Sequence, residues 1–243
     1  MPLERDVKEV IRDSIAKLGL SRAHLRIRRA TGQNVDHLFR PTLVERFSAI
    51  YQNRVWLNDR PSGSLSGLGS ELVNTDKVRR ELQPLLTELN TQTLLDVGCG
   101  DFLWMKEINL VCHYIGIDIV EDVIVANDKV YASETRRFQK LDATMDALPK
   151  ADTVLCREVL FHLSFADIWR VLANIKRSQA VFLIATNDTG LKYNADIESG
   201  DFRLLNLLRA PFHLPLPSTS IPDDRLSRGR TLSVWKTSEL ARL

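Results

Sequence analysis

The chain has 243 residues, 44% of them hydrophobic, which suffices for one medium α/β domain with a full core plus an extension and excludes a long disordered chain. Lys and Arg number 33 against 31 Asp and Glu, and the resulting net charge of +2 is too balanced to advertise a nucleic-acid or membrane partner. Cys99, Cys112 and Cys156 lack metal-ligand spacing and sit in or beside apolar runs, so they read as reduced buried thiols of a cytoplasmic protein, with no metal site.

No apolar run approaches the ~18 residues that span a bilayer, and the charged start Leu3-Glu4-Arg5-Asp6 shows no signal peptide, so a soluble protein is expected. Val7, Val10, Ile11, Ile15 and Leu18 recur at helical spacing and Gly19 stops them, which predicts an amphipathic first helix. Its single apolar face must be buried somewhere, so residues 1–74 are expected to fold back as a helical lid. The basic cluster Arg26-Ile27-Arg28-Arg29 reads as a solvated face or as a contact for an acidic substrate; no aromatic residue interleaves it. Phe47, Tyr51, Trp56 and Asn58 then precede the Ser/Gly-rich residues 62–70, a segment that is either a flexible linker or a lid over a site, the aromatics favouring a lid. Leu82, Leu85, Leu86 and Leu89 mark a helix kinked or started by Pro84.

The chain is organised around Thr93-Leu94-Leu95-Asp96-Val97-Gly98-Cys99-Gly100-Asp101. A β-prone run stops at an acid, passes two glycines and restarts as a helical pattern with Asp101 in its first turn, a geometry that lets backbone approach a nucleotide-like ligand. The turn lacks the third glycine of the dinucleotide fingerprint, and Asp101 would repel a diphosphate. Strands are predicted over residues 113–118, 137–142, 152–157 and 180–186, with helices over 119–130 and after the Ser164 cap, where Phe165, Ile168, Trp169, Leu172 and Ile175 share one face. This alternation predicts an α/β fold with a Rossmann-like, doubly wound, mostly parallel sheet. The run Thr231-Leu232-Ser233-Val234-Trp235-Lys236, beyond a proline-rich stretch, is expected to close it as an antiparallel edge strand.

Asp96, Asp118 and Asp142 end three successive strands, where ligands of open α/β sheets collect. Three acids suit a ligand with an ammonium group, ribose hydroxyls and an amine-bearing purine better than a phosphate. Taken together, Asp96-Val97-Gly98-Cys99-Gly100-Asp101, Asp118 and Leu141-Asp142-Ala143 resemble the class I S-adenosylmethionine-dependent methyltransferases, over roughly residues 75–187. Residues 62–70, with Trp56 and Asn58, also resemble the Ser/Gly-rich segment that precedes this motif in a group of bacterial members.

The resemblance implies S-adenosylmethionine as cofactor and a division into residues 1–74 as lid extension and 75–243 as the methyltransferase domain. Gly98, Cys99 and Gly100 would pass close to the amino-acid part of the cofactor, and Asp96 or Asp101 would face its ammonium. Asp118 would take the ribose hydroxyls, Asp142 and Ala143 the adenine edge, and Ile119 the adenine face. Arg157 would lie along the cofactor or meet a substrate anion. His162 has the residue type of a general base, though it is often structural at this place. Glu158 competes for that role, as do Asn187 and Asp188, while Trp56, Trp104 and Asn187 are candidates for the acceptor chamber. The expected activity is methyl transfer to oxygen or nitrogen of a small polar metabolite, such as a sugar derivative or a secondary metabolite, with neither nucleic acid nor membrane as partner and a homodimer compatible. The alternatives are a protein or RNA methyltransferase and a non-catalytic cofactor-binding protein. A nicotinamide-dependent oxidoreductase founders on the missing glycine and on Asp101.

Overall fold

The structure, a computed structural model, describes residues 2–57, 60 and 62–240; Asn58 lies outside the described residues. Among the described residues, seven strands form one sheet: β1 (Thr93–Val97), β2 (His113–Asp118), β3 (Arg136–Lys140), β4 (Thr153–Cys156), β5 (Phe182–Asp188), β6 (Thr219–Pro222) and β7 (Arg230–Lys236). Their order is β3-β2-β1-β4-β5-β7-β6. The first five are mutually parallel, and β7 runs antiparallel between β5 and β6. The closing strand is therefore not the edge: β6, four residues in the proline-rich stretch, takes that place.

Alternate residues of each strand face opposite layers. Leu95, Val97, Ile115, Ile117 and Val154 pack on Ile168, Val171, Leu172 and Ile175 of α6 (Phe165–Arg177). Leu94, Tyr114 and Leu155 pack on Val78, Leu82, Leu85 and Leu86 of α4 (Asp76–Glu88), whose interior holds Pro84. The sheet is thus covered on both faces, and the register leaves Asp96 on the α4 side. Ser164 caps α6 by accepting from the Asp167 N–H, as its position predicts.

The helix expected after the glycine turn is absent. Gly98, Gly100 and Phe102 all have left-handed φ values, +71°, +56° and +58°, which no right-handed helix accommodates. The chain instead crosses to β2 through turns and one 3₁₀ turn at Met105–Glu107. The next helix, α5 (Glu121–Tyr131), follows β2.

The N-terminal residues form α1 (Pro2–Lys17), α2 (Ser21–Ala30) and α3 (Leu43–Gln52). The apolar face of α1 is not buried: Val7, Val10 and Ile11 are exposed, while Glu9 and Asp13 are buried. Polar partners select this docking face. Arg12 donates to the Phe202 carbonyl at 3.0 Å, and Tyr193 donates its hydroxyl to Asp13. The basic cluster lies on α2, where Arg28 makes a two-point ion pair with Asp201 and Arg29 meets Asp36, so two of its cations are already paired. All three cysteines are free and buried. Among the described residues, no helix is long and apolar enough to cross a membrane.

Candidate functional site

A cavity opens at the carboxyl ends of β1, β2 and β4. The glycine turn forms its floor. The N–H groups of Gly98 and Cys99 both donate to the Ile117 carbonyl, which locks the turn onto β2. A Cβ on Gly98 would stand 2.5 Å from Cγ2 of Val159, and one on Gly100 2.3 Å from Oγ of Ser66, so neither position has room for a side chain.

Asp118 ends β2 with its carboxylate buried, Oδ2 accepting from the Gly100 N–H at 3.1 Å and Oδ1 from the Val120 N–H at 3.0 Å. Burial nevertheless pushes its pKa up. Asp142 accepts from both the N–H and the hydroxyl of Thr144, and with Ile119 and Ala143 it lines the same cavity. Cys99 lines it too, its thiol pushed up by burial.

Asp96 borders the cavity but is engaged from below, taking the Tyr114 hydroxyl at 2.7 Å; burial raises its pKa to about 7. Asp101 is turned to a different task from the expected one. Its Oδ2 accepts from the Ser64 hydroxyl and the Leu65 N–H, so it ties down residues 62–70 and is absent from the cavity wall. That segment covers the glycine turn: Ser66 bonds to the Tyr51 hydroxyl and accepts from the Asp101 N–H, and Ser66 and Ser70 line the cavity.

Beyond β4, Arg157 is almost wholly buried in a two-point ion pair with Asp223, donates to the Gly69 carbonyl and lies 5.0 Å over the Trp104 ring. It borders the cavity as a structural cation already paired. Glu158 lines the cavity with a left-handed φ of +57° and receives Arg230 at 2.7 Å. His162 lines it as well and stacks on Trp56 with centroids 4.8 Å apart. Its Nδ1 donates to the Asp201 carbonyl at 2.8 Å, which leaves Nε2 as the acceptor of the neutral ring. Burial lowers its pKa to about 4. Leu43, Phe47 and Tyr51 of α3 complete the aromatic end with Trp56 and Trp104.

Asn187 is not brought to the site. β5 runs on to Asp188, and the fully buried Asn187 accepts from the Leu207 N–H on a neighbouring segment. Asp188 is likewise buried, in contact with Ser227 and Arg230. Asp223 and Arg230, which hold Arg157 and Glu158, carry no local sequence signal because their partners are 66 and 72 residues away. Among the described residues, no group of three or more His, Cys, Asp or Glu could hold a metal ion.

Residues 95–180 match the model of a family described as a methyltransferase domain. No curated protein matches the chain. Among solved structures, human N-acetylserotonin methyltransferase in complex with S-adenosylmethionine is 14% identical, with 91% of this chain and 68% of that one covered and a TM-score of 0.55. Magnesium protoporphyrin IX methyltransferase from Synechocystis PCC 6803 is 18% identical over 60% of this chain and 70% of that one, with a TM-score of 0.45. The glycopeptide N-methyltransferase MtfA is 15% identical with a TM-score of 0.40; 45% of this chain is covered, and the match spans about half, 48%, of that one. Residues 95–180 thus match a methyltransferase domain, and the 3-2-1-4-5-7-6 sheet gives the chain the fold of the class I S-adenosylmethionine-dependent methyltransferases.

Proposed function

We propose that this S-adenosylmethionine-dependent methyltransferase acts on oxygen or nitrogen of a small polar metabolite enclosed under its N-terminal lid. The observation that carries the reading is the continuity of one cavity from the glycine turn and the strand-end acids to an aromatic chamber walled by α3, Trp56 and residues 66 and 70. A chamber closed by the chain's own N-terminal segment suits an acceptor that enters whole.

The residues fit the cofactor. The glycine turn has no room for a Cβ, Asp118 presents a buried carboxylate fixed by two backbone N–H groups, and Asp142 stands at the end of the next strand. Asp118 would bind the ribose hydroxyls, Asp142 and the Ala143 N–H the adenine edge, and Ile119 the adenine face. When bound, S-adenosylmethionine supplies an electrophilic sulfonium methyl. The protein's part is alignment and exclusion of water, which Phe47, Tyr51 and Trp56 serve. With Nδ1 committed to Asp201, Nε2 of His162 is the position that takes a proton from the acceptor.

Calorimetry with S-adenosylhomocysteine tests the cofactor site; no binding at millimolar ligand would overturn it. A screen of metabolite extracts with a methyl-labelled cofactor tests the acceptor class. Label transferred to protein or RNA and to no small molecule would overturn that part.

A further inference from the structure

The carboxyl ends of β4 and β5 and the amino end of the antiparallel β7 hold a buried charge cluster that the methyl-transfer reading leaves unused. Arg157 is consumed by Asp223 through two hydrogen bonds of 3.0 Å. Arg230 is held by Asp188 at 3.3 Å and reaches Glu158 at 2.7 Å, while Arg157 stands 3.8 Å from the same Glu158 oxygen. Three carboxylates thus face two guanidiniums, and Oδ2 of Asp188 is buried without a hydrogen-bond partner. Burial pushes the Asp223 pKa up despite Arg157, and Glu158 adds to the rise, as expected where negative charge is in excess. Asp96, the next acid along the wall, is raised toward neutrality by burial and adds no compensating cation.

Of the three carboxylates only Glu158 lines the cavity. Its backbone holds the left-handed conformation, uncommon for a residue with a side chain and a frequent mark of a functional position. Its Oε2 lies where a Cβ on Gly69 would come within 1.4 Å, so the glycine of the lid segment leaves the space the carboxylate occupies. Phe47, Tyr51, Trp56 and Trp104 share the cavity, and aromatic faces attract a cation as well as an apolar body.

We propose that the acceptor carries an ammonium group and that Glu158, the cavity-lining member of a cluster with one carboxylate in excess, binds it. This rests on the reading of the cavity as a methyl-transfer site and narrows the acceptor to amine-bearing metabolites. The role is one of specificity: Arg230 holds the carboxylate in place, Gly69 leaves it room, and the acceptor supplies the missing positive charge.

Calorimetry on the full chain saturated with S-adenosylhomocysteine, titrated with benzylamine and with benzyl alcohol at pH 7.5, tests this directly. The amine should bind at least tenfold more tightly than the alcohol. Equal binding, or binding of neither, overturns the proposal, and this comparison needs no variant. Glu158→Gln should abolish the preference while S-adenosylmethionine and S-adenosylhomocysteine weaken by less than twofold each. A selective loss of S-adenosylmethionine would assign the charge to the cofactor's sulfonium and overturn the proposal. The S-adenosylhomocysteine titration of the unsubstituted protein reports separately on the cofactor site, so failure of that reading is told apart from failure of this one.

Discussion

The carboxylate of Asp101 receives the hydroxyl of Ser64 at 2.7 Å, joining the glycine turn to a segment 37 residues earlier in the chain. Residues 62–70 are therefore fastened to the glycine turn that they cover. Ser64→Ala removes one hydrogen bond to a charged group, about 1.5–3 kcal/mol in general, although the Leu65 N–H still bonds to Asp101. Amide hydrogen exchange in residues 62–70 should rise severalfold, with β1 and β4 unaffected; unchanged exchange would mean that the segment is held elsewhere.

Asp118→Ala should weaken S-adenosylhomocysteine binding by roughly 1.5–3 kcal/mol, a loss of about 10- to 150-fold in affinity. The variant also leaves the Gly100 and Val120 N–H groups without their acceptor. Asp118→Asn, which keeps acceptor capacity, should lose less. Equal losses in both variants would point to a collapsed turn instead of a lost ligand contact.

His162→Ala should lower turnover by about 10²- to 10⁴-fold, the usual worth of a general base, with cofactor affinity intact. Because burial holds the His162 pKa near 4, the ring is neutral through the physiological range, and the rate should show no acidic limb from this residue above about pH 5. An acidic limb centred near pH 6.5 that disappears in His162→Ala would contradict that assignment.

Asp96 makes stability depend on pH. Its pKa is raised to about 7 in the folded chain from an ordinary 3.8, so between these values the folded state holds a proton that the unfolded state has released. Stability should fall as pH rises from about 4 to 7 and then level off, by up to about 4 kcal/mol from this group. Asp96→Asn keeps an acceptor for the Tyr114 hydroxyl without the ionisation, and should flatten that part of a denaturation-against-pH series. A series that keeps its slope in the variant would place the titrating group elsewhere.

Arg157→Met strands Asp223 as a buried unpaired carboxylate and should cost about 3–5 kcal/mol in urea unfolding. The double variant Arg157→Met with Asp223→Leu should recover much of that loss. Additive losses in the double variant would mean that the two side chains do not act as a pair.

The strand–turn registers at Asp96, Asp118 and Asp142 were legible in the sequence because each is local: an apolar run, an acid and a turn within a few residues. The Ser164 cap and the apolar stripe of α6 were legible for the same reason. The engagement of Asp101 by Ser64 and the burial of Asn187 within β5 carry no such local pattern. The helix expected after Gly100 fails at Phe102, whose left-handed backbone no propensity argument predicts.

What the chain's sequence determined by itself is the periodic alternation that builds a doubly wound sheet and the spacing that puts glycines and acids at its carboxyl end. Only the tertiary structure decided which carboxylates remain available to a ligand. Asp101 is tied to Ser64 and Leu65 and, like Asp223 and Asp188, which are paired with arginines, stays off the cavity wall; Asp96, bonded to Tyr114, and Glu158, paired with Arg230, line the cavity beside Asp118 and Asp142. The physical reason is that a buried charge is defined by the partners packed around it, and those come from sequence positions up to 72 residues away.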